Sequence, residues 1–418
     1  MMGLTRRFES HDVFRTTRNL FRASQAMQFD WVGPACILCL SLIGVAFIYS
    51  AHAFTGGDFW IKQLVWIVLG AGVYGVVSMI DYRFYMRNAL WFYFAGLFLL
   101  LLIFTPLGLT REGATRWLNF VVLAYQPSEA AKVCTLIMVS TILATTRIGK
   151  ISDSVRVLAI VFGLAGLPMF LIFLQPDLGS CLIIPPMVLA LLYVSKLSIR
   201  FFLVGFALVV CMASILAFDL YSYAHALEKS GLSAQEFRGE YQSKSLVPLR
   251  DYQRERIMTF AAPEVVDPSG TGAAWNAIQA ESAVGSGGLF GRGYANGQQA
   301  RLGYLPRTVA HNDFIFAVFA EEQGFLGGML VVGLFGVLLA NGVRIAGQAR
   351  DRFGMLLCVG VTVIFLIHVF VNIGMTIGLT PITGLPLPFV SYGGSFILSC
   401  CILQGIVQSV HRHHRLYE

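Results

Sequence analysis

The chain has 418 residues, 56% hydrophobic and 13% charged, with a mean hydropathy of +0.69. Soluble proteins run at roughly 45–50% apolar and about 25% charged, so a soluble globular fold is excluded. The net charge of +7 is explained below by membrane topology, which leaves no argument for a nucleic-acid partner.

Apolar stretches of about 20 residues, enough to cross a hydrocarbon layer of about 30 Å, recur in chain order. They lie near 31–50, 60–80, 86–105, 128–147, 155–174, 181–196, 200–220, 314–342, 353–379 and 389–410. The expected fold is an all-α polytopic membrane protein with about ten transmembrane helices. Seventeen basic residues fall in segments assigned to the cytoplasm, whereas the short outer loops hold only Lys62, Arg111 and Arg116. That bias places both termini in the cytoplasm. The 221–312 segment then becomes one long extracytoplasmic loop before the eighth helix. Its nine basic residues do not reverse the assignment, because long loops translocate largely regardless of charge.

The chain thus divides into a cytoplasmic arm (1–30), helices one to seven (31–220), the large outer loop (221–312), helices eight to ten (313–410) and a cytoplasmic tail (411–418). Arg6-Arg7 is not read as a twin-arginine export signal, because no small-residue cleavage site follows the first apolar run. All eight cysteines, from Cys36 to Cys401, fall in expected spans and read as buried apolar residues. Cys36 and Cys39 have redox or metal spacing, but no histidine or charge accompanies them. The tail His411-Arg412-His413-His414-Arg415 reads as a solvated basic tail beside lipid headgroups.

Polar residues within or beside the spans carry the functional signal, because charge in a bilayer is expensive. Arg111 to Leu118 leads into Gln126-Pro127-Ser128-Glu129-Ala130-Ala131-Lys132, where Pro127 suits a first helical turn. Glu129 and Lys132 project from one face. Two readings fit: a mutually neutralised pair packing helix against helix, or Lys132 with Arg116 presenting positive charge to an anionic headgroup. Asp177, in Gln175-Pro176-Asp177-Leu178-Gly179-Ser180, is placed to cap the next helix.

The long outer segment contains Asp267-Pro268-Ser269-Gly270-Thr271-Gly272, then the glycine-dense run 285–293, then Ala310-His311-Asn312-Asp313 and Glu321-Glu322 within an apolar stretch. The glycine run lacks the Gly-Lys-Ser/Thr of a Walker loop and implies positive φ or close approach to another surface. His311 reads as a packing or capping residue more readily than a catalytic one. The last outer connection, 380–395, holds three prolines and is expected to wall a site, since irregular backbone at membrane depth must be buried in protein or line a wet cavity.

These blocks together resemble the SEDS family (shape, elongation, division and sporulation), the polytopic peptidoglycan polymerases that include RodA and FtsW. The matching segments, in order, are Arg116-Trp117-Leu118, Gln126 to Lys132, Gln175 to Gly179, Asp267 through Phe316, and Pro386 to Ser395. The 285–288 and 384–389 wording is closer to RodA than to FtsW. The segment 224–250 looks longer than the family carries, and Leu305 to Asp313 replaces a shorter pattern containing a glutamate.

The resemblance implies glycosyl transfer on lipid II, a disaccharide-pentapeptide on undecaprenyl diphosphate, at the outer face of the bacterial cytoplasmic membrane. Asp267 is implied as the catalytic residue. It would act as general base on the incoming GlcNAc 4-hydroxyl, which a carboxylate can do near neutral pH if partial desolvation raises its pKa. Arg116, Lys132, Arg254 and Arg256 would stabilise the leaving diphosphate, and Glu129, Gln279, Ser282, Asp313 and Ser391 would complete the substrate-binding set. No metal motif is readable. A divalent cation (Mg2+ or Mn2+), a nascent glycan strand and a class B penicillin-binding protein transpeptidase are implied only by the family. A lipid II transporter, a division-specific polymerase and a non-catalytic scaffold are the alternatives.

Overall fold

The computed structural model describes residues 29–413, apart from 53–56, 112–113, 121–122, 147–150, 233–235, 238, 242–244, 246, 248, 250, 273 and 306–309. The N-terminal arm, much of 224–250 and the end of the tail therefore lie outside the described residues.

Every apolar stretch forms a helix. In chain order these are α1 (Val32–His52), α2 (Phe59–Met79), α4 (Ala89–Leu102) after the short α3 (Arg83–Arg87), α5 (Pro127–Thr145), α6 (Ile151–Leu174), α7 (Leu178–Val194), α8 (Ile199–Ser230), α13 (Ile315–Gln348), α14 (Arg352–Thr376) and α15 (Gly394–His413). Among them, eight are long and apolar enough to cross a membrane, and α4 and α7 are shorter. Between α8 and α13 lie α9 (Asp251–Ala261), α10 (Pro263–Val266), α11 (Trp275–Ser286) and α12 (Gln298–Arg301).

The fold is not purely helical. Gly108–Arg111, Ala114–Phe120 and Leu123–Tyr125 form an antiparallel sheet in the order β1-β2-β3, with Leu118 opposite both Gly108 and Tyr125. The seven residues Ala114–Phe120 read Ala-Thr-Arg-Trp-Leu-Asn-Phe, without the strict apolar and polar alternation by which a strand is recognised, so the all-α expectation misses the sheet. Leu118 is fully buried and Asn119 is exposed, the alternation expected of a half-covered sheet.

Three helices form the centre. α15 packs along α2 and touches α5 and α14, while α14 is flanked by α13, α7 and α5. Lipid tails are as apolar as leucine, so close packing and polar contacts hold such helices together. Helix ends are closed deliberately: Asp177 accepts from the Ser180 amide at the start of α7, as its position implies. Asp351 accepts from the Gly354 amide at the start of α14. Arg352 donates to the carbonyls of Thr146 and Ser195, closing the C-terminal ends of α5 and α7 at once.

The glycine run explains itself against α13. That helix is broken at Gly324 (φ 67°, ψ −166°), and the run supplies what the break removes. The amides of Arg292 and Gly293 donate to the carbonyls of Glu321 and Glu322, and those of Phe325 and Leu326 donate to Gly288 and Leu289. A Cβ on Gly291, at φ 78°, would lie 2.1 Å from the Glu322 carbonyl oxygen. Gly291→Ala is therefore expected to cost about 3 kcal/mol or more and lower the unfolding temperature in detergent. Gly285→Ala, where an added Cβ meets nothing, should leave that temperature unchanged or raise it; equal effects from the two would refute the account.

Candidate functional site

Asp267 sits where α10 ends and the turn into α11 begins, 9% exposed. Its Oδ2 accepts the amides of Gly272 (2.7 Å) and Ala274 (3.1 Å), and its Oδ1 accepts the Ser269 hydroxyl (3.0 Å). Ser269 in turn lies 2.7 Å from the exposed Thr271 hydroxyl. The carboxylate thus closes the entry to α11, where unpaired amides favour an anion. Oδ2 is committed to backbone. Oδ1 takes the hydroxyl of Ser269 in an exposed turn, a side-chain donor that can rotate away, which makes it the oxygen open to exchange.

Burial pushes the Asp267 carboxyl up, but the amides of Ala274 and Gly272, the Ser269 hydroxyl and the Gly270 amide together bring it below the ordinary carboxylate value. This corrects the expectation of a raised pKa: hydrogen bonds to the charged form outweigh desolvation. Asp267 is ionised throughout the neutral range.

The other residues singled out by sequence fall into separate neighbourhoods, and among the described residues the hydrogen bonds of Asp267 all come from its own loop. Arg116, on β2 and half-buried, donates to the Pro176 carbonyl, tying the sheet to the start of α7. Beside it, Asp177 accepts from Gln126 (3.0 Å) and Ser128 (3.1 Å).

One turn deeper, Lys132 donates to Glu129 (2.8 Å), and both are buried. The ammonium also lies 3.4 Å from His368 Nε2, whose Nδ1 is 3.1 Å from the Pro386 carbonyl. That carbonyl only accepts, so Nδ1 carries the proton and Nε2 receives from Lys132. The group borders a cavity of about 10 Å³ shared with Phe396, Ser399 and Cys400, room for about one water. The neutralised-pair reading is what the geometry displays.

Two predicted contacts are corrected. Arg254 is fully buried and paired with Asp219 at 2.8 Å, so it is not presented to a diphosphate. Ser391 is fully buried, its hydroxyl donating to the Asn312 carbonyl (2.6 Å) and accepting the Leu387 amide (2.8 Å), so it staples the connection between α14 and α15 together. The Arg256 side chain lies outside the described residues. Gln279 is half-buried and Ser282 exposed on α11. Asp313 is half-buried, with its carboxylate facing Gly384. His311 packs among His52, Phe59 and Tyr392, with ring centroids 4.7, 4.7 and 5.4 Å away.

Sequence reasoning missed the uncharged polar residues of the spans. Asn372, fully buried, donates to the carbonyls of both Asp313 and Leu385, Gln63 donates to the Ser391 carbonyl, and His368 holds Lys132. Their signal was a lone polar side chain within an otherwise apolar run, a weaker mark than a charge. Glu321 accepts the amides of Gln298 and Gln299, while Glu322 accepts from Ser50 and the Ala295 amide; both are structural.

Comparison with known proteins comes down on one family. The signature of the family described as Cell cycle protein (FTSW_RODA_SPOVE) matches residues 31–416. The peptidoglycan glycosyltransferase MrdB of Escherichia coli K12 is 34% identical over 382 residues, covering 91% of this chain and 92% of that protein. The peptidoglycan glycosyltransferase RodA of Treponema pallidum is 32% identical over 436 residues, covering 92% and 97%. Among solved structures, a chain from work on the structural coordination of polymerization and crosslinking by a peptidoglycan synthase complex aligns with a TM-score of 0.73 at 27% identity, covering 93% and 99%. The rod shape determining protein RodA of Thermus thermophilus aligns at 0.64 and 25%, covering 93% and 98%.

Removing one partner of a buried ion pair strands the other charge, at a cost of about 3–5 kcal/mol. Lys132→Met should show that loss in denaturation in detergent, and Glu129→Gln combined with Lys132→Met should recover most of it. A double variant as unstable as the single one would show that the pair is not what Lys132 contributes.

Proposed function

The chain belongs to the FtsW/RodA/SpoVE family of cell cycle proteins, and from that premise we propose that it is a multi-pass peptidoglycan glycosyltransferase of the bacterial cytoplasmic membrane, polymerising lipid II in cell elongation. Support comes from relatives named peptidoglycan glycosyltransferase across nine-tenths of the chain. The observation that carries the assignment of the site is an ionised carboxylate, Asp267, held by backbone through one oxygen and open to exchange at the other.

In the reaction, the 4-hydroxyl of the incoming GlcNAc attacks the anomeric carbon at the reducing end of the growing strand. The bond from that carbon to the diphosphate breaks, undecaprenyl diphosphate leaves with the electron pair, and the hydroxyl proton passes to Asp267 Oδ1. A carboxylate of low pKa is a weak base, so it takes the proton only as the new C–O bond forms and the hydroxyl becomes acidic. The acceptor hydroxyl takes the place that Ser269 holds in the free protein. With Lys132 and Arg254 engaged inside the protein, Arg116 is the remaining described cation of the predicted set for the leaving diphosphate.

Among the described residues no cluster of three or more His, Cys, Asp or Glu could hold a metal, so those residues alone do not fit a divalent cation. Mg2+ is commonly held by one or two carboxylates with substrate phosphates, and such an ion here would depend on Asp267 and the diphosphate together. We extend the proposal to the orientation, with Asp267 on the outer face, and to a class B penicillin-binding protein partner. The similarity to a chain of a synthase complex that couples polymerization to crosslinking supports the latter.

The test is a gel assay of strands made from purified lipid II by the full-length protein with its partner, the partner's transpeptidase serine being inactivated. Wild type should give strands and folded Asp267→Asn none. Equal strands would remove Asp267 from catalysis, and a wild type that makes no strands but scrambles labelled lipid II between leaflets would make the protein a transporter.

The same assay run against pH checks the basicity of Asp267. Wild-type turnover should hold down to about pH 4, since the folded pKa lies below the unfolded value of about 3.9. Ser269→Ala removes a donor to the charged form in the free protein, so the acid limb of kcat/KM, which reports the free enzyme, moves to higher pH, whereas that of kcat, where the acceptor has replaced Ser269, stays in place. The stabilisation that ionised Asp267 gives its loop is likewise present above the unfolded value and lost as pH falls through the lower folded one. An acid limb of kcat/KM that does not move in Ser269→Ala would refute the role given to this hydroxyl.

A further inference from the structure

α8 stands apart from the other spans. At 32 residues it is about 48 Å long, and none of its most apolar window is buried. One end is tethered to the bundle through Phe201 and Phe202, the latter ring 5.9 Å from Tyr193. At the other end, Leu220, Tyr223 and Leu227 make one stripe that packs with Phe237, with Met258 of α9 and with Val266 of α10. Val266 immediately precedes Asp267.

At the edge of this satellite core lies Arg254, 0% exposed. Its Nε donates to Asp219 Oδ2 (2.8 Å), its Nη2 to Ser245 Oγ (2.7 Å) and the Val247 carbonyl (3.0 Å), and its Nη1 to the Leu249 carbonyl (2.6 Å). The guanidinium lies 5.2 Å from the Tyr241 ring centroid. Asp219, on α8, accepts from Ser245 at its other oxygen (2.6 Å). A buried guanidinium is tolerable only with its donors and its counter-charge satisfied. It cannot turn to an anionic substrate without stranding Asp219.

We infer that Arg254 is a positioning residue: with Asp219 it locks α9 and α10 to the end of α8, so that α8 and Asp267 move as one body and the seat of α8 sets the position of the catalytic carboxylate. The inference rests on the catalytic reading of Asp267. Asp219 of α8 takes Arg254 on one oxygen and Ser245 on the other, the remaining Arg254 bonds fix the loop entering α9, and the apolar cluster that joins α8 to α9 and α10 reaches Val266.

The experiment measures glycan synthesis by the full-length protein with its partner at varied lipid II. In Arg254→Met and in Asp219→Asn, kcat should fall about tenfold or more while KM stays within about twofold, the pattern of an interaction felt only in the transition state. To separate positioning from folding, Asp219→Cys and Arg254→Cys are combined, with lipid-facing Cys39 and Cys211 replaced by alanine, and joined by a reducible bis-thiosulfonate linker. The linked protein should regain at least about half of the lost kcat and lose it again on reduction. A raised KM with unchanged kcat would make Arg254 a phosphate contact and overturn the inference, as would a linked protein no more active than the reduced one. Asp267→Asn run alongside keeps the two readings apart: if it is active, the catalytic assignment fails, whereas if it is dead and both clamp variants are normal, only the clamp fails.

Discussion

In an apolar layer there is no water to take up an unmade hydrogen bond, so each polar atom carried there must find its partner within the chain. This constraint shapes the whole molecule. Glu129 has Lys132, Lys132 has His368, and His368 has the carbonyl of Pro386, a chain of polar contacts that joins α5, α14 and the connection from α14 to α15. Glu321 and Glu322 are satisfied by amides of residues 295–299 and by Ser50. Asn372 and Gln63 do the same for the irregular backbone around Leu385 and Ser391. Most of the charge that looks functional in the sequence is engaged in holding irregular chain in place.

The site is built from the opposite condition. Asp267 lies in a turn near solvent, where amides stabilise its charge and lower its basicity. A group meant to bind or accept at one oxygen must be fixed by the other, and the entry to α11 supplies that fixing from backbone alone. The protein thus keeps its rigid polar networks within the bundle and leaves a replaceable hydroxyl, that of Ser269, on the outer oxygen of Asp267.

How much of this was legible follows from the physics of each feature. The spans were readable because a run of twenty apolar residues matches the thickness of a bilayer and little else, and helix ends such as Asp177 because capping is local. Asp267 stood out from its setting, a carboxylate in a glycine-rich turn, and its role came from a family pattern. The sheet was illegible because its longest strand, Ala114–Phe120, places Trp117 beside Leu118 and Thr115 beside Arg116, which breaks the period of two by which a strand is read. Arg254 was misread because a basic residue in an outer loop looks available until Asp219, 35 positions earlier, is brought to it. Ser391 was misread for the same reason, its acceptor Asn312 lying 79 positions earlier and being brought to it only by the fold.

The break at Gly324 also bears on how the protein is made. The loop 288–293 completes hydrogen bonds on both sides of that break, yet it is synthesised before α13 exists. Until α13 enters the membrane, those amides and carbonyls have only water as partner. The loop that follows α11 and the broken segment of α13 therefore complete one another's backbone hydrogen bonds, and neither has these partners until both are in place. A nascent chain halted before Glu321 would hold every atom of that loop and none of the carbonyls and amides that complete it.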